Sequence, residues 1–112
     1  MPGLTPAAAL ATLAEQSTQP FIKLFEHGSL EVEIYRPVKV DRQQPHTRDE
    51  VYVILAGTGF FVNGDLKQPF EPGEVLFVPA GQVHRFENFT YDFATWVFFY
   101  GPEGGEKNQP TT

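Results

Sequence analysis

Apolar and polar residues alternate with a period of two along most of the chain after Pro20. The stretches "FIKLFE" (21–26) and "LEVEIY" (30–35) both do so, and His27, Gly28 and Ser29 lie between them where a turn belongs, which predicts an antiparallel hairpin. "VYVILA" and "GFFV" follow, then "NGD", whose Asn63-Gly64 suits a two-residue hairpin turn into "LKQPF". "EPGE" turns the chain again before "VLFVP", "VHRFEN" and "FATWVFFY", which are separated by Pro79-Ala80-Gly81 and Thr90-Tyr91-Asp92. Only the start reads as helix: Thr5 before Pro6 makes an N-cap and first-turn pair for "PAAALATLAEQ", rich in Ala, Leu, Glu and Gln. Short, closely spaced strands punctuated by Gly and Pro predict an all-β fold, a small β-barrel with one short leading helix. The expected division is a helical segment over 1–19, a barrel domain over 20–101 and a mobile tail over 102–112, where "GPEGGEKNQPTT" is Gly, Pro and charge.

A length of 112 residues supplies one domain, and a chain of this size buries between roughly 60 and 70% of its unfolded surface. Eleven Phe and 41% hydrophobic residues can fill that core. Cys is absent, which excludes disulfides, thiolate metal cages and a cysteine nucleophile, and fits a reducing cytoplasm. The start has neither a basic region nor a long apolar run, so the expected location is cytoplasmic, with no membrane partner. The net charge of −6, with Lys and Arg scattered rather than gathered, argues against nucleic acid.

Chemistry concentrates in two polar islands. In "QQPHTRDEVYV", His46 and Glu50 stand four residues apart at the mouth of an apolar run. On one extended strand their Cα atoms would lie about 13 Å apart, so a tight turn over Thr47, Arg48 and Asp49 is expected, with His46 ending one strand and Glu50 beginning its neighbour. Alternation then places Tyr52 and Ile54 inward with Glu50, sets Gln44 beside His46 and turns Gln43 away. In the second island, "PGEVLFVPAGQVHRFEN", His84 opens an apolar strand where an unpaired imidazole would be costly. Two imidazoles and one carboxylate, with the Gln44 amide in reserve, suit a divalent transition metal such as Fe, Mn, Ni, Co or Zn. The expected ligands are therefore His46, Glu50, His84 and Gln44, and Tyr52 is the candidate proton donor.

These islands resemble the paired motifs of the cupin superfamily, small single-domain jelly-roll β-barrels. The pattern G-x5-P-x-G-x2-H-x3-N is met in full by Gly73, Pro79, Gly81, His84 and Asn88. The pattern G-x5-H-x-H-x3-E-x6-G is met by His46, Glu50 and Gly57, whereas Val38 stands for its first Gly and Gln44 for its first His. The resemblance implies a cupin-like jelly-roll barrel and a three-ligand metal site, with Gln44 a weaker donor than the imidazole it replaces. It also implies dioxygenases, sugar isomerases and epimerases, or non-catalytic binding proteins as functional precedents.

Three functions follow as expectations: a metal-dependent enzyme, an oxygenase or isomerase acting on a small polar molecule; a non-catalytic small-molecule binding or sensing module; and an ion-free dimer in which the three side chains only hydrogen-bond one another. The Gly and Pro residues of the motifs serve first as turn-makers, and Asn88 as a loop tie. Arg48 is expected to be a solvated turn residue, Arg85 to point outside, and His27 to be exposed. Trp96, Phe98 and Tyr100 share a face that is either core or pocket lining. The strands "FIKLFE" and "LEVEIY" are expected at an open edge that pairs across a two-fold axis into a homodimer.

Overall fold

The leading helix forms where its capping signals place it: α1 spans Pro6–Gln16, and the Thr5 hydroxyl accepts a hydrogen bond from the Ala8 backbone N–H at 3.1 Å. The computed structural model describes residues 3–107. Eight strands follow: β1 (Phe21–His27), β2 (Leu30–Tyr35), β3 (Asp49–Ala56), β4 (Gly59–Asn63), β5 (Leu66–Phe70), β6 (Val75–Val78), β7 (His84–Glu87) and β8 (Ala94–Tyr100). They make a five-stranded sheet in the order β1-β2-β8-β3-β6 and a three-stranded sheet in the order β5-β4-β7. All pairings are antiparallel, and the β1–β2 and β4–β5 hairpins turn at Gly28 and Gly64, both at positive φ.

The space between the sheets is filled by aromatic rings. Phe61, Phe70, Phe86 and Phe93 from several elements stack around one another, with Phe86 4.7 Å from Phe61 and 4.6 Å from Phe93 between ring centroids. Burying each such ring stabilises the fold by about 1.5–3 kcal/mol. A second cluster lies on the outer side of the large sheet, where Ala9 and Leu13 of α1 cover Ile34, with Trp96 packed against them. Trp96 therefore belongs to this outer layer, and the cavity-facing residues of β8 are Val97 and Phe99.

The connection from Arg36 to Arg48 departs from the sequence reading. It forms no strand, so His46 does not end one, and β3 begins at Asp49. Pro37, Pro45 and a left-handed Lys39 at φ 67° prevent ladder pairing there. With no alternation to obey, Gln43 turns inward, where it accepts from the Tyr52 hydroxyl at 3.0 Å, and Gln44 is exposed. A buried carboxylate fastens this segment across the barrel. Asp41 accepts from the Phe86 backbone N–H at 2.8 Å, the Tyr35 hydroxyl at 2.5 Å, and the Gln43 backbone and side-chain N–H groups at 3.1 and 2.7 Å.

Other details differ as well. "FIKLFE" is an edge strand, but "LEVEIY" is interior, paired to both β1 and β8. Arg48 is no solvated turn residue: it donates to the Gly101 carbonyl at 3.0 Å, to Glu31 at 2.6 Å and to the Ser29 carbonyl, pinning the corner to the β1–β2 turn. Asn88 contributes a left-handed backbone at φ 50°, which Asn tolerates better than most residues. Arg85 points outward to Glu87, and His27 is exposed, as expected. Beyond β8, Gly104 N–H donates to the Thr47 carbonyl at 2.6 Å and Glu106 N–H to Asp49 Oδ2 at 2.8 Å. The last part of the expected tail, 108–112, lies outside the described residues.

Candidate metal centre

Three separate elements deliver the three donors. Glu50 sits near the start of β3 in the large sheet, His84 opens β7 in the small sheet, and His46 comes from the connection between β2 and β3. The turn of the second motif holds that corner in place. Gly81, at φ 81°, donates its N–H to the His46 carbonyl at 2.7 Å, and Ala80 N–H donates to Asp49 Oδ1 at 2.9 Å. The edge of the Phe99 ring packs on His46, with centroids 5.0 Å apart.

One carboxylate oxygen is the meeting point. Glu50 Oε1 lies 3.0 Å from His46 Nδ1 and 3.2 Å from His84 Nε2, and one ligand atom from each residue falls within 4.8 Å of the others. Glu50 and His84 are buried, whereas the His46 side chain is 33% exposed and faces outward to a cavity of about 370 Å³. Gln44 lines the same cavity. The larger cavity, about 910 Å³ between α1 and the Pro37–Arg42 stretch, holds none of the three donors, so the smaller one is the relevant space. Tyr52 faces inward beside Glu50, but its hydroxyl is committed to Gln43 and does not line the cavity.

The tautomer of His84 tests whether a cation fits. Its Nδ1 lies 2.8 Å from the Gln82 carbonyl, which can only accept, so Nδ1 carries the proton and Nε2 of a neutral ring bears a lone pair. That lone pair faces Glu50 Oε1 at 3.2 Å. The distance suggests an ion pair, yet Nε2 is a buried atom without an aligned hydrogen-bond partner. Direction outweighs distance for a hydrogen bond. Two electron-rich atoms in contact call for a cation, a proton or a metal, between them, and the donor set suits a divalent transition metal.

Electrostatics follow the same geometry. Burial favours the neutral form of Glu50, but the two imidazoles more than offset it and hold the carboxyl below its ordinary value. Burial likewise opposes charge on His84, and Glu50, with the Gln82 carbonyl, outweighs it and raises the imidazole. Burial pushes the Tyr52 phenol well up, and the Glu50 charge adds to this, so the hydroxyl keeps its proton. Glu33, also on the cavity wall, is raised by burial and then by Glu31 and Glu50.

These directions give opposite pH trends with and without metal. In metal-free protein, the raised His84 contributes stability that is present below its ordinary 6.5 and is lost as pH rises through the folded value. The depressed Glu50 contributes stability that is present above 4.5 and is lost as pH falls through its folded value. The melting temperature in chelator is therefore expected to decline from pH 6 to pH 8. Metal binding requires neutral imidazoles, so the rise in melting temperature on adding metal should grow over the same interval. Differential scanning calorimetry checks both trends, and a metal-induced rise larger at pH 6 than at pH 8 would contradict histidine ligation.

A model of the Cupin domain matches residues 32–100, more than half of the chain, and takes in both polar islands. The chain belongs to the cupin family. This cupin is 36% identical over 63 residues to an uncharacterized protein of Streptomyces coelicolor, a match covering 56% of this chain and only 60% of that protein's length. A solved protein of Neisseria meningitidis superposes with a TM-score of 0.68 at 17% identity, over 89% of this cupin and 100% of that chain. A Cupin 2 conserved barrel domain protein from Salinispora arenicola does so with a TM-score of 0.59 at 18% identity, over 72% and 74% of the two chains. Identities this low speak to the fold alone, and the fold expected from the motifs is the one observed. Among the described residues no helix is long and apolar enough to cross a membrane.

The sequence reading missed Asp41, Gln43 and Glu33. Gln43 and Glu33 line the cavity, and Asp41 holds Gln43 in position.

Proposed function

We propose that this cupin binds a divalent transition metal through His46, Glu50 and His84 and acts on a small polar molecule held in the adjoining cavity. The observation that carries this reading is the buried, unpartnered His84 Nε2 facing Glu50 Oε1. Gln44, on the cavity wall beside His46, is the amide that would add a weaker fourth donor. When bound, such an ion supplies Lewis acidity and, if ferrous, the dioxygen chemistry of two-His, one-carboxylate sites, which are the isomerase-like and dioxygenase-like options.

The chain's own residues would do the rest. His46, Glu50, Val97 and Phe99 line the cavity, and Gln43 adds an amide held by Asp41 and Tyr52. Tyr52 is better suited to positioning Gln43 than to donating a proton. That same engagement favours the second reading, a non-catalytic binding or sensing module, because the cavity then lacks a free phenolic acid. The exposed edge of β1 is where a second copy would pair to form a homodimer.

Elemental analysis of protein purified without chelator from metal-replete cells is expected to give about one transition-metal ion per chain. A stoichiometry near zero would leave only the ion-free, hydrogen-bonded cluster. Oxygen uptake by the iron-loaded form with small enolic compounds separates an oxygenase from a binding module.

A further inference from the structure

The metal reading leaves one carboxylate of the cavity without a role. Glu33 stands on β2, and the ladders place it directly across Val97 from Tyr52: Glu33 pairs with Val97, and Val97 with Tyr52. Two strand spacings, about 10 Å, thus separate its backbone from that of β3. Its side chain lines the cavity together with His46 and Glu50. Glu31 and Glu26 on the same hairpin each pair with a cation, and Glu87 pairs with Lys67. Among the described residues the Glu33 carboxylate has no hydrogen bond or ion pair.

We propose that the cavity takes a small chelating molecule bearing a protonated amine, with the Glu33 carboxylate as partner of the ammonium group; this assignment rests on the metal reading above.

Charge and shape both support it. No Lys or Arg lines the cavity, and Lys23, the cross-strand neighbour of Glu33, is engaged by Glu26 at 3.0 Å and Glu31 at 3.7 Å, so an anionic substituent far from the metal would be disfavoured by Glu33. A divalent ion with Glu50 carries a net charge near +1 and attracts an anionic chelating end, while Glu33 attracts a cationic one. A zwitterion satisfies both. The rings of Phe21, Tyr35 and Phe99 line the same space, and aromatic faces favour cations. A volume of about 370 Å³ is within the range that holds small molecules.

The experiment uses full-length protein loaded with zinc and two probes of matched size, 3-aminopropanoate and 3-hydroxypropanoate, titrated by calorimetry. The amine is expected to bind about tenfold more tightly. Glu33→Gln should weaken the amine about tenfold and leave the hydroxyl probe within about twofold, with zinc content unchanged. Glu71→Gln, which removes an exposed carboxylate in the turn after β5, away from the cavity, should change neither probe. Equal binding of the two probes, heat from neither, or a Glu33→Gln variant that weakens both alike while retaining zinc overturns the assignment alone. Wild-type protein that takes up no zinc would overturn the metal reading, and this assignment with it.

Discussion

In His84→Ala or His46→Ala protein, bound metal is expected to fall below about a tenth of the wild-type stoichiometry, because each change removes one of the three candidate donors His46, Glu50 and His84. Gln44→Ala should retain most of its metal, since an amide oxygen is a weaker donor than imidazole. Elemental analysis after dialysis against a weak competitor reads all three variants side by side. His84→Ala also removes the buried imidazole that faces Glu50, so urea denaturation should accompany it to show that the barrel still folds. His84→Gln, closer in size, serves where it does not. A Gln44→Ala variant that loses more metal than His84→Ala would mean that the ligand set is wrongly drawn.

Asp41→Ala should lower stability by about 3–4 kcal/mol, because one change leaves the Tyr35 hydroxyl, the Phe86 N–H and two Gln43 donors without their acceptor. The bonds from the Phe86 N–H and the Tyr35 hydroxyl tie the irregular Arg36–Arg48 connection to the sheets, and the two from Gln43 tighten it from within. Their loss frees the segment that carries His46. The urea midpoint should drop while the dependence on denaturant stays the same, and metal affinity should weaken although Asp41 is no ligand. A variant within about 1 kcal/mol of wild type would show that the connection is held by other contacts.

How far the sequence revealed this arrangement depended on regularity. Strands β1 to β8 were legible because alternation and turn residues coincide, as at Asn63-Gly64, and α1 because Thr5 and Pro6 mark its start. His46, Glu50 and His84 were legible through motif spacing. Gln43 and Asp41 were not, since counting alternate residues back from His46 assumes a strand where none forms, and that count turned Gln43 away. Burial of Asp41 depends on three partner residues, Tyr35, Gln43 and Phe86, distant in sequence or local to an irregular turn, which no period reports. Glu33 was missed for another reason. Alternation in "LEVEIY" separates two faces without saying which is inside: the apolar face, with Ile34, packs beneath α1, and the face with Glu33 and Tyr35 lines the cavity.

The residues after β8 fold back as a hook on the corner that bears the donors: Gly104 reaches Thr47, Glu106 reaches Asp49, and a side-chain carbon on Gly105 would come within 2.9 Å of Asp49 Oδ1. Shortening the chain after Gly101, or replacing Gly105 with any larger residue, would thus disturb the corner that carries His46 and Glu50 from more than fifty positions away. Affinity handles and fluorophores intended to leave the centre undisturbed belong ahead of α1.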